Sequence, residues 1–139
     1  KTAIEECRQN KVYGNERYEK ENLFSLPKTL LGTCDWLWEH TCFCAIDPKE
    51  RPAYVSAVAA GLKPDGFLLG IFYLNPQRTE TSAANGPPHG TTIQELESLF
   101  LADGVFSIMG TFTPRDCYPE REGREQLLLL RKNKKPVQT

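Results

Sequence analysis

Apolar and polar positions along this chain fall into blocks that predict strands and helices in turn. The run 35–46, Asp-Trp-Leu-Trp-Glu-His-Thr-Cys-Phe-Cys-Ala-Ile, begins apolar, turns polar and leads straight into Asp47-Pro48. It predicts a buried strand over 36–38 whose polar tip, 39–44, forms the lip of a crevice. Open α/β sheets place ligands at such strand ends. Asp47 then caps a helix, and Pro48 suits the first position, where its missing N–H costs nothing. Pro52 separates a single turn from the main helix, whose apolar stripe is Val55, Val58, Ala59 and Leu62. Lys63-Pro64-Asp65-Gly66 reads as a turn, with proline fixing one dihedral and glycine accepting a positive φ.

Residues 67–74 are apolar throughout, the pattern of a strand buried on both faces of a parallel sheet. The polar stretch 75–90, holding Gly86-Pro87-Pro88-His89, is a long loop with the length of a functional lid. Thr92-Ile93-Gln94-Glu95 has capping-box spacing, Ile93, Leu96, Leu99 and Phe100 form the stripe of the helix it opens, and Gly104 ends it. Segments 105–113 and 126–131 read as strands, joined by a polar crossing over 114–123. At the start, Thr2-Ala3-Ile4-Glu5 is a further capping box opening a helix to about Asn10, and 17–21 reads as a short strand. Alternation of strands and helices predicts a parallel α/β sheet, with the last two strands as an antiparallel edge hairpin.

Composition narrows the partners. Seventeen basic and 18 acidic residues nearly cancel, which argues against nucleic acid as a partner. No apolar run is long enough to span a membrane, and no signal peptide is visible. Five cysteines, an odd number at irregular spacings, fit a reduced, cytoplasmic protein better than a disulfide scaffold. The 139 residues form a single domain. The start at Lys1, with Thr2 already a helix cap, reads as a domain incomplete at its N-terminus.

The runs Glu39-His40-Thr41-Cys42-Phe43-Cys44-Ala45-Ile46-Asp47-Pro48, Arg51-Pro52-Ala53 and Leu62-Lys63-Pro64-Asp65-Gly66 resemble the second half of the thiopurine/thiol S-methyltransferase family. The plant-type halide and thiocyanate methyltransferases are the nearest branch. Tyr73, Gly86-Pro87-Pro88 and Arg121-Glu122-Gly123-Arg124-Glu125 extend the resemblance over about 35–131. It implies an α/β, Rossmann-like S-adenosylmethionine-dependent methyltransferase sheet, mostly parallel with a C-terminal antiparallel hairpin. It also implies methyl transfer from S-adenosylmethionine to a small soft nucleophile: a thiol, sulfide, thiocyanate, halide or thiopurine. The family's glycine-rich turn and first strands have no counterpart here, since no Asp/Glu-x-Gly-x-Gly occurs in the chain. The expected complement is a separate N-terminal segment or a second copy of the chain.

Position by position, the resemblance places adenosine against Asn22 and Leu23, where the family has an acidic residue and an apolar neighbour. His40 stands where the family has tyrosine beside the methionine part of the cofactor, with Thr41 next to it. His40 keeps a ring with a polar edge and makes the site titratable near neutrality. Tyr73 and His40 are the catalytic candidates, and Phe43, Tyr73 and His89 the candidates for binding the methyl acceptor. The plain alternative for His40 is a satisfied histidine at a strand end. Cys42 and Cys44 lack the paired C-x₂-C spacing of a metal site and read as small thiols packed beside the cavity. Two other readings stay open: a non-catalytic methyltransferase-like subunit pairing with an active partner, and a small redox or metal protein.

Overall fold

The computed structural model describes residues 2–9, 14–76 and 86–134. In chain order its elements are α1 (Ala3–Gln9), β1 (Cys34–His40), α2 (Arg51–Gly61), β2 (Leu62–Tyr73), α3 (Ile93–Phe100), β3 (Phe106–Phe112) and β4 (Glu125–Lys132). The helix starts form where their caps predict. Asp47 Oδ1 accepts from Lys49 N at 2.9 Å and closes a single turn, Pro48–Glu50, ahead of α2. Thr92 Oγ1 accepts from Glu95 N at 3.0 Å. Thr2 N donates to Glu5 Oε2 at 2.9 Å, the reaching-back half of a capping box. Asn10, the expected end of the first helix, lies outside the described residues, as do 77–85 of the long loop.

The sheet runs β1-β2-β4-β3. β1 and β2 are parallel, while β4 lies antiparallel to both β2 and β3. The α/β class and the C-terminal antiparallel hairpin are as expected. Among the described strands the sheet is mixed rather than mostly parallel, because β4 inserts between β2 and β3. Strand alternation sends Leu68, Phe72, Leu128 and Leu130 to one face, where Tyr54, Val55 and Val58 of α2 and Leu96 and Phe100 of α3 complete the buried core.

Four expectations are corrected. Trp36 and Trp38 are 58% and 60% exposed, not buried. They occupy the sheet face opposite α2 and α3, on the edge strand, where no described helix supplies core residues. The same asymmetry leaves Phe67, Leu69 and Ile71 short of full burial, so β2 is fully covered on one face only. The expected turn at 63–66 is instead absorbed into β2 as an irregularity between the Cys34 and Trp36 pairings. There Asp65 takes the positive φ of 63°. Gly66 serves close packing: a Cβ on it would sit 3.0 Å from Lys63 O and 3.1 Å from Cys34 O. Finally, 17–21 forms no strand. A strand is stable only against a neighbour, and β1, whose outer edge would be nearest in order, pairs with β2 alone among the described strands.

Candidate functional site

The site is built where β1 and β2 end side by side, with His40 opposite Ile71 and Tyr73 two residues further on. Alternation along β1 turns Glu39 inward and His40 outward. Glu39 is 3% exposed. Its Oε1 accepts from Cys42 N and Phe43 N, both at 2.9 Å, and its Oε2 from the Tyr54 hydroxyl at 2.6 Å. A carboxylate held by two successive backbone N–H groups fixes the chain that follows it. Thr41 accordingly adopts φ 64°, and a 3-10 turn, Phe43–Ala45, carries the backbone back over the core.

That turn separates Phe43 from the cavity. Its ring is 2% exposed and packs edge-on to Tyr54 and Phe72 at 5.5 and 5.3 Å between centroids, with the Arg51 guanidinium 4.5 Å above it. Cys44 Sγ turns the other way and donates to Thr41 O at 3.2 Å. Burial, then the Glu39 charge, push the Cys44 thiol above its ordinary range, against the opposing pull of Arg121, of a backbone hydrogen bond at Cys44 and of Arg51. Burial and Glu39 raise Cys42 likewise, and they raise the Tyr54 phenol strongly.

A cavity of about 770 Å³ opens at these strand ends. His40, Thr41 and Cys44 line it from β1 and its turn, and Tyr73 from β2. Pro88 closes one side, and Tyr118, Pro119, Glu120 and Arg121 the other. The Arg121 guanidinium lies 4.9 Å from the Tyr73 ring centre and 5.6 Å from that of Tyr118. Its Nη1 is paired with Glu125 Oε1 at 3.0 Å, on a carboxylate that is 6% exposed. The cavity thus has a cation backed by a buried anion on one wall, two aromatic faces, and an imidazole and a hydroxyl at the strand tip.

Buried polar contacts hold the loop beside it. His89 N donates to Cys44 O at 2.6 Å, and Thr91 N to Leu74 O at 3.0 Å. Arg51, 1% exposed, pairs with Glu95 Oε1 at 2.6 Å and donates through Nη2 to Gly90 O at 3.0 Å. The structure therefore brings His40, Thr41 and Tyr73 together, and places Pro88 rather than His89 on the cavity wall. Asn22 and Leu23 are elsewhere. Asn22 Oδ1 accepts from Phe24 N at 3.0 Å, and Leu23 lines a separate groove with Ala53, Ala57 and Ala60 of α2. Residue patterns do not point to Tyr118. Glu39 and Arg121 each open a run of the resemblance, Glu39-His40-Thr41 and Arg121-Glu122-Gly123-Arg124-Glu125, but the resemblance assigns neither a role. A larger cavity, about 870 Å³, lies between α2 and α3. Its Lys132 Nζ is engaged by Ala59 O and Leu62 O at 2.6 and 2.7 Å, a contact that caps the end of α2.

Comparison with known proteins bears on the family and on the fold. The family described as Thiopurine S-methyltransferase (TPMT) matches residues 3–134. Thiocyanate methyltransferase 1 of Arabidopsis thaliana is 29% identical over 127 residues, which are 87% of this chain and 52% of that protein. Thiopurine S-methyltransferase of Bos taurus is 35% identical over 81 residues, 57% of this chain and 31% of that one. The chain thus spans about half the length, or less, of these two relatives. Among solved structures, a SAM-dependent methyltransferase of Methanosarcina mazei superimposes with a TM-score of 0.70 at 18% identity, over 94% of this chain and 76% of that one. The 1,6-didemethyltoxoflavin-N1-methyltransferase of Burkholderia thailandensis, solved with 1,6-didemethyltoxoflavin and S-adenosylhomocysteine, gives 0.61 at 18% identity, over 81% and 48%.

Proposed function

Because the chain belongs to the thiopurine S-methyltransferase family, we propose that its cavity is the acceptor side of an S-adenosylmethionine-dependent methyl-transfer site for a small soft nucleophile. A thiol, sulfide, thiocyanate, halide or thiopurine is the acceptor class. One observation carries the reading: a single cavity joins His40 and Thr41 at the end of β1 to Tyr73 at the end of β2, with the Arg121 cation on its far wall.

When bound, S-adenosylmethionine supplies an electrophilic methyl group on a sulfonium. The described residues fit one part of that task. Arg121 lies against the rings of Tyr73 and Tyr118 and shares its charge with Glu125, so this wall offers an acceptor anion a guanidinium already held in place by a carboxylate. His40 and Thr41, across the cavity, offer an imidazole and a hydroxyl to the donor's rim. No cradle for the cofactor's amino-acid end is found among the described residues, and Asn22 and Leu23 do not share the cavity. The chain's own contribution is then binding and alignment: Arg121 attracts the anion, Tyr73 and Tyr118 supply polarisable faces, and Pro88 and Cys44 exclude water. An acceptor already ionised near neutrality needs no general base. The five cysteines are free thiols, which favours the cytoplasm as its compartment.

A second reading is favoured by the open sheet face carrying Trp36 and Trp38: a non-catalytic methyltransferase-like subunit seated against an active partner. One experiment separates the two. S-adenosylhomocysteine is titrated calorimetrically into the chain, alone and with the part of Arabidopsis thiocyanate methyltransferase 1 that has no counterpart in it. Methyl transfer to thiocyanate and hydrosulfide is assayed in the same samples. The catalytic reading expects binding and turnover in the complemented sample, with Arg121→Met raising KM for the anion about tenfold or more. Binding without turnover that Tyr73→Phe and Arg121→Met leave unchanged sinks it.

A further inference from the structure

Cys44 lies in the wall of the very cavity in which, on the reading above, a sulfonium methyl group meets a soft nucleophile. A thiolate is a soft nucleophile too, and the thiolate, not the thiol, is the reactive form. Were Cys44 to ionise beside the donor, its sulfur would form an S–CH₃ bond as the sulfonium C–S bond broke. S-adenosylhomocysteine would leave, the thiol proton having gone to solvent, and the cavity would be blocked.

We propose that Glu39 is a positioning residue that keeps this thiol out of the reaction: it folds the turn 40–44 so that Cys44 Sγ donates its hydrogen to Thr41 O, and it sets a buried carboxylate behind that sulfur. The proposal rests on the methyl-transfer reading of the cavity. The geometry supporting it is independent of any ligand. Glu39 accepts from Cys42 N and Phe43 N at 2.9 Å, which brings Thr41 O to 3.2 Å from the Cys44 sulfur. Its other oxygen takes the Tyr54 hydroxyl at 2.6 Å. Among the described residues no cation forms an ion pair with Glu39.

The charges facing Cys44 come from several elements. Burial and, after it, Glu39 of β1 favour the thiol, while Arg121 beyond β3, a backbone hydrogen bond at Cys44 and Arg51 of α2 favour the thiolate. His40 and Glu120 line the same cavity, and the Cys42 thiol is two residues away. The balance falls on the side of the thiol. Glu39 thus does for Cys44 the opposite of what a catalytic cysteine receives, where a neighbouring cation or helix N-terminus promotes ionisation.

Residue-resolved alkylation tests this without cofactor. Iodoacetamide labelling of Cys44 is followed by peptide mass spectrometry across pH in the wild-type chain, Glu39→Gln and Tyr54→Phe. Glutamine preserves the shape, accepting from both N–H groups and donating to the Tyr54 oxygen. Glu39→Gln should move the Cys44 labelling profile to lower pH, and a profile displaced by one pH unit raises the neutral-pH rate about tenfold. Tyr54→Phe, which leaves the carboxylate in place, should keep the wild-type profile. Identical profiles for wild type and Glu39→Gln overturn the proposal. So does a wild-type Cys44 labelled at neutral pH as fast as a free cysteine peptide. Adding S-adenosylmethionine to the complemented Glu39→Gln sample should add one methyl group to Cys44. A displaced labelling profile without that addition would keep Glu39's role and count against the methyl-transfer reading.

Discussion

The phenol of Tyr54 carries the largest burden of any single group in the site. It is 3% exposed and donates at 2.6 Å to a carboxylate that is itself buried. Burial first, and Glu39 second, push its pKa far up. A raised folded pKa means that the folded state holds the proton more tightly. The resulting stability is therefore fully present below the unfolded value of about 10 and is lost as pH rises above it. Urea denaturation should give a level stability through neutral pH. Above about pH 10 Tyr54 should contribute a fall of up to about 1.4 kcal/mol per pH unit. Cys42 and Cys44, raised in the same direction, add to the loss from slightly lower pH. Tyr54→Phe should remove the phenol's share of that slope. At neutral pH it should cost about 1–3 kcal/mol, because Glu39 Oε2 loses its donor. Equal alkaline slopes in the two proteins would show that the phenol is not held as described.

At the scale of elements, Arg51 ties three of them together. From the first turn of α2 it reaches Glu95 in α3 and the carbonyls of His89 and Gly90, and it covers the Phe43 ring. Its Nε has no hydrogen-bond partner among the described residues, so the site is built for reach rather than for full satisfaction. Arg51→Met removes a buried cation from carbonyls that then lose its donors. Glu95, with its side chain 35% exposed, can turn to water. The expected loss is about 3 kcal/mol in urea, the low end for a broken buried pair. His89 N–H should also exchange about tenfold faster or more, since its bond to Cys44 O depends on the loop being anchored. Unchanged exchange would mean the loop is held by other contacts. The caps at Asp47 and Thr92 were legible in the residues because a cap and its N–H groups lie within three positions of one another. Arg51 and its partner in α3 are 44 residues apart, and Glu39 and Tyr54 are 15 apart. No local pattern encodes those meetings. The strand-tip position of His40, Thr41 and Tyr73 was legible because the sheet rule needs only element order. The inward turn of Phe43 was not, because it depends on Glu39 bending the chain at Thr41.

At the scale of the whole molecule, the sheet has one finished face and one open one. The run 36–38 looks buried because it is rich in tryptophan, but burial is set by what lies opposite, which no single segment carries. Trp36 stacks on Phe67 at 4.7 Å, within its own sheet, and Trp38 meets the edge of His40 at 6.3 Å. Met109 and Phe112, 49% and 55% exposed, add apolar surface on β3. An exposed apolar patch normally marks a contact surface. In dilute solution the tryptophan emission should therefore be water-like and readily quenched by acrylamide. Trp38→Gln should change stability by no more than about 0.5 kcal/mol, the range of a surface substitution. Trp36→Gln should cost more, by about 0.5–1.5 kcal/mol, because it loses the stacked ring of Phe67. If the open face drives association, raising the concentration should shift emission to the blue in step with a rise in sedimenting mass, and Trp38→Gln should weaken both. Blue, unquenchable emission from a monomer would mean that the face is covered within the chain itself, and the two-faced description of the sheet would fall.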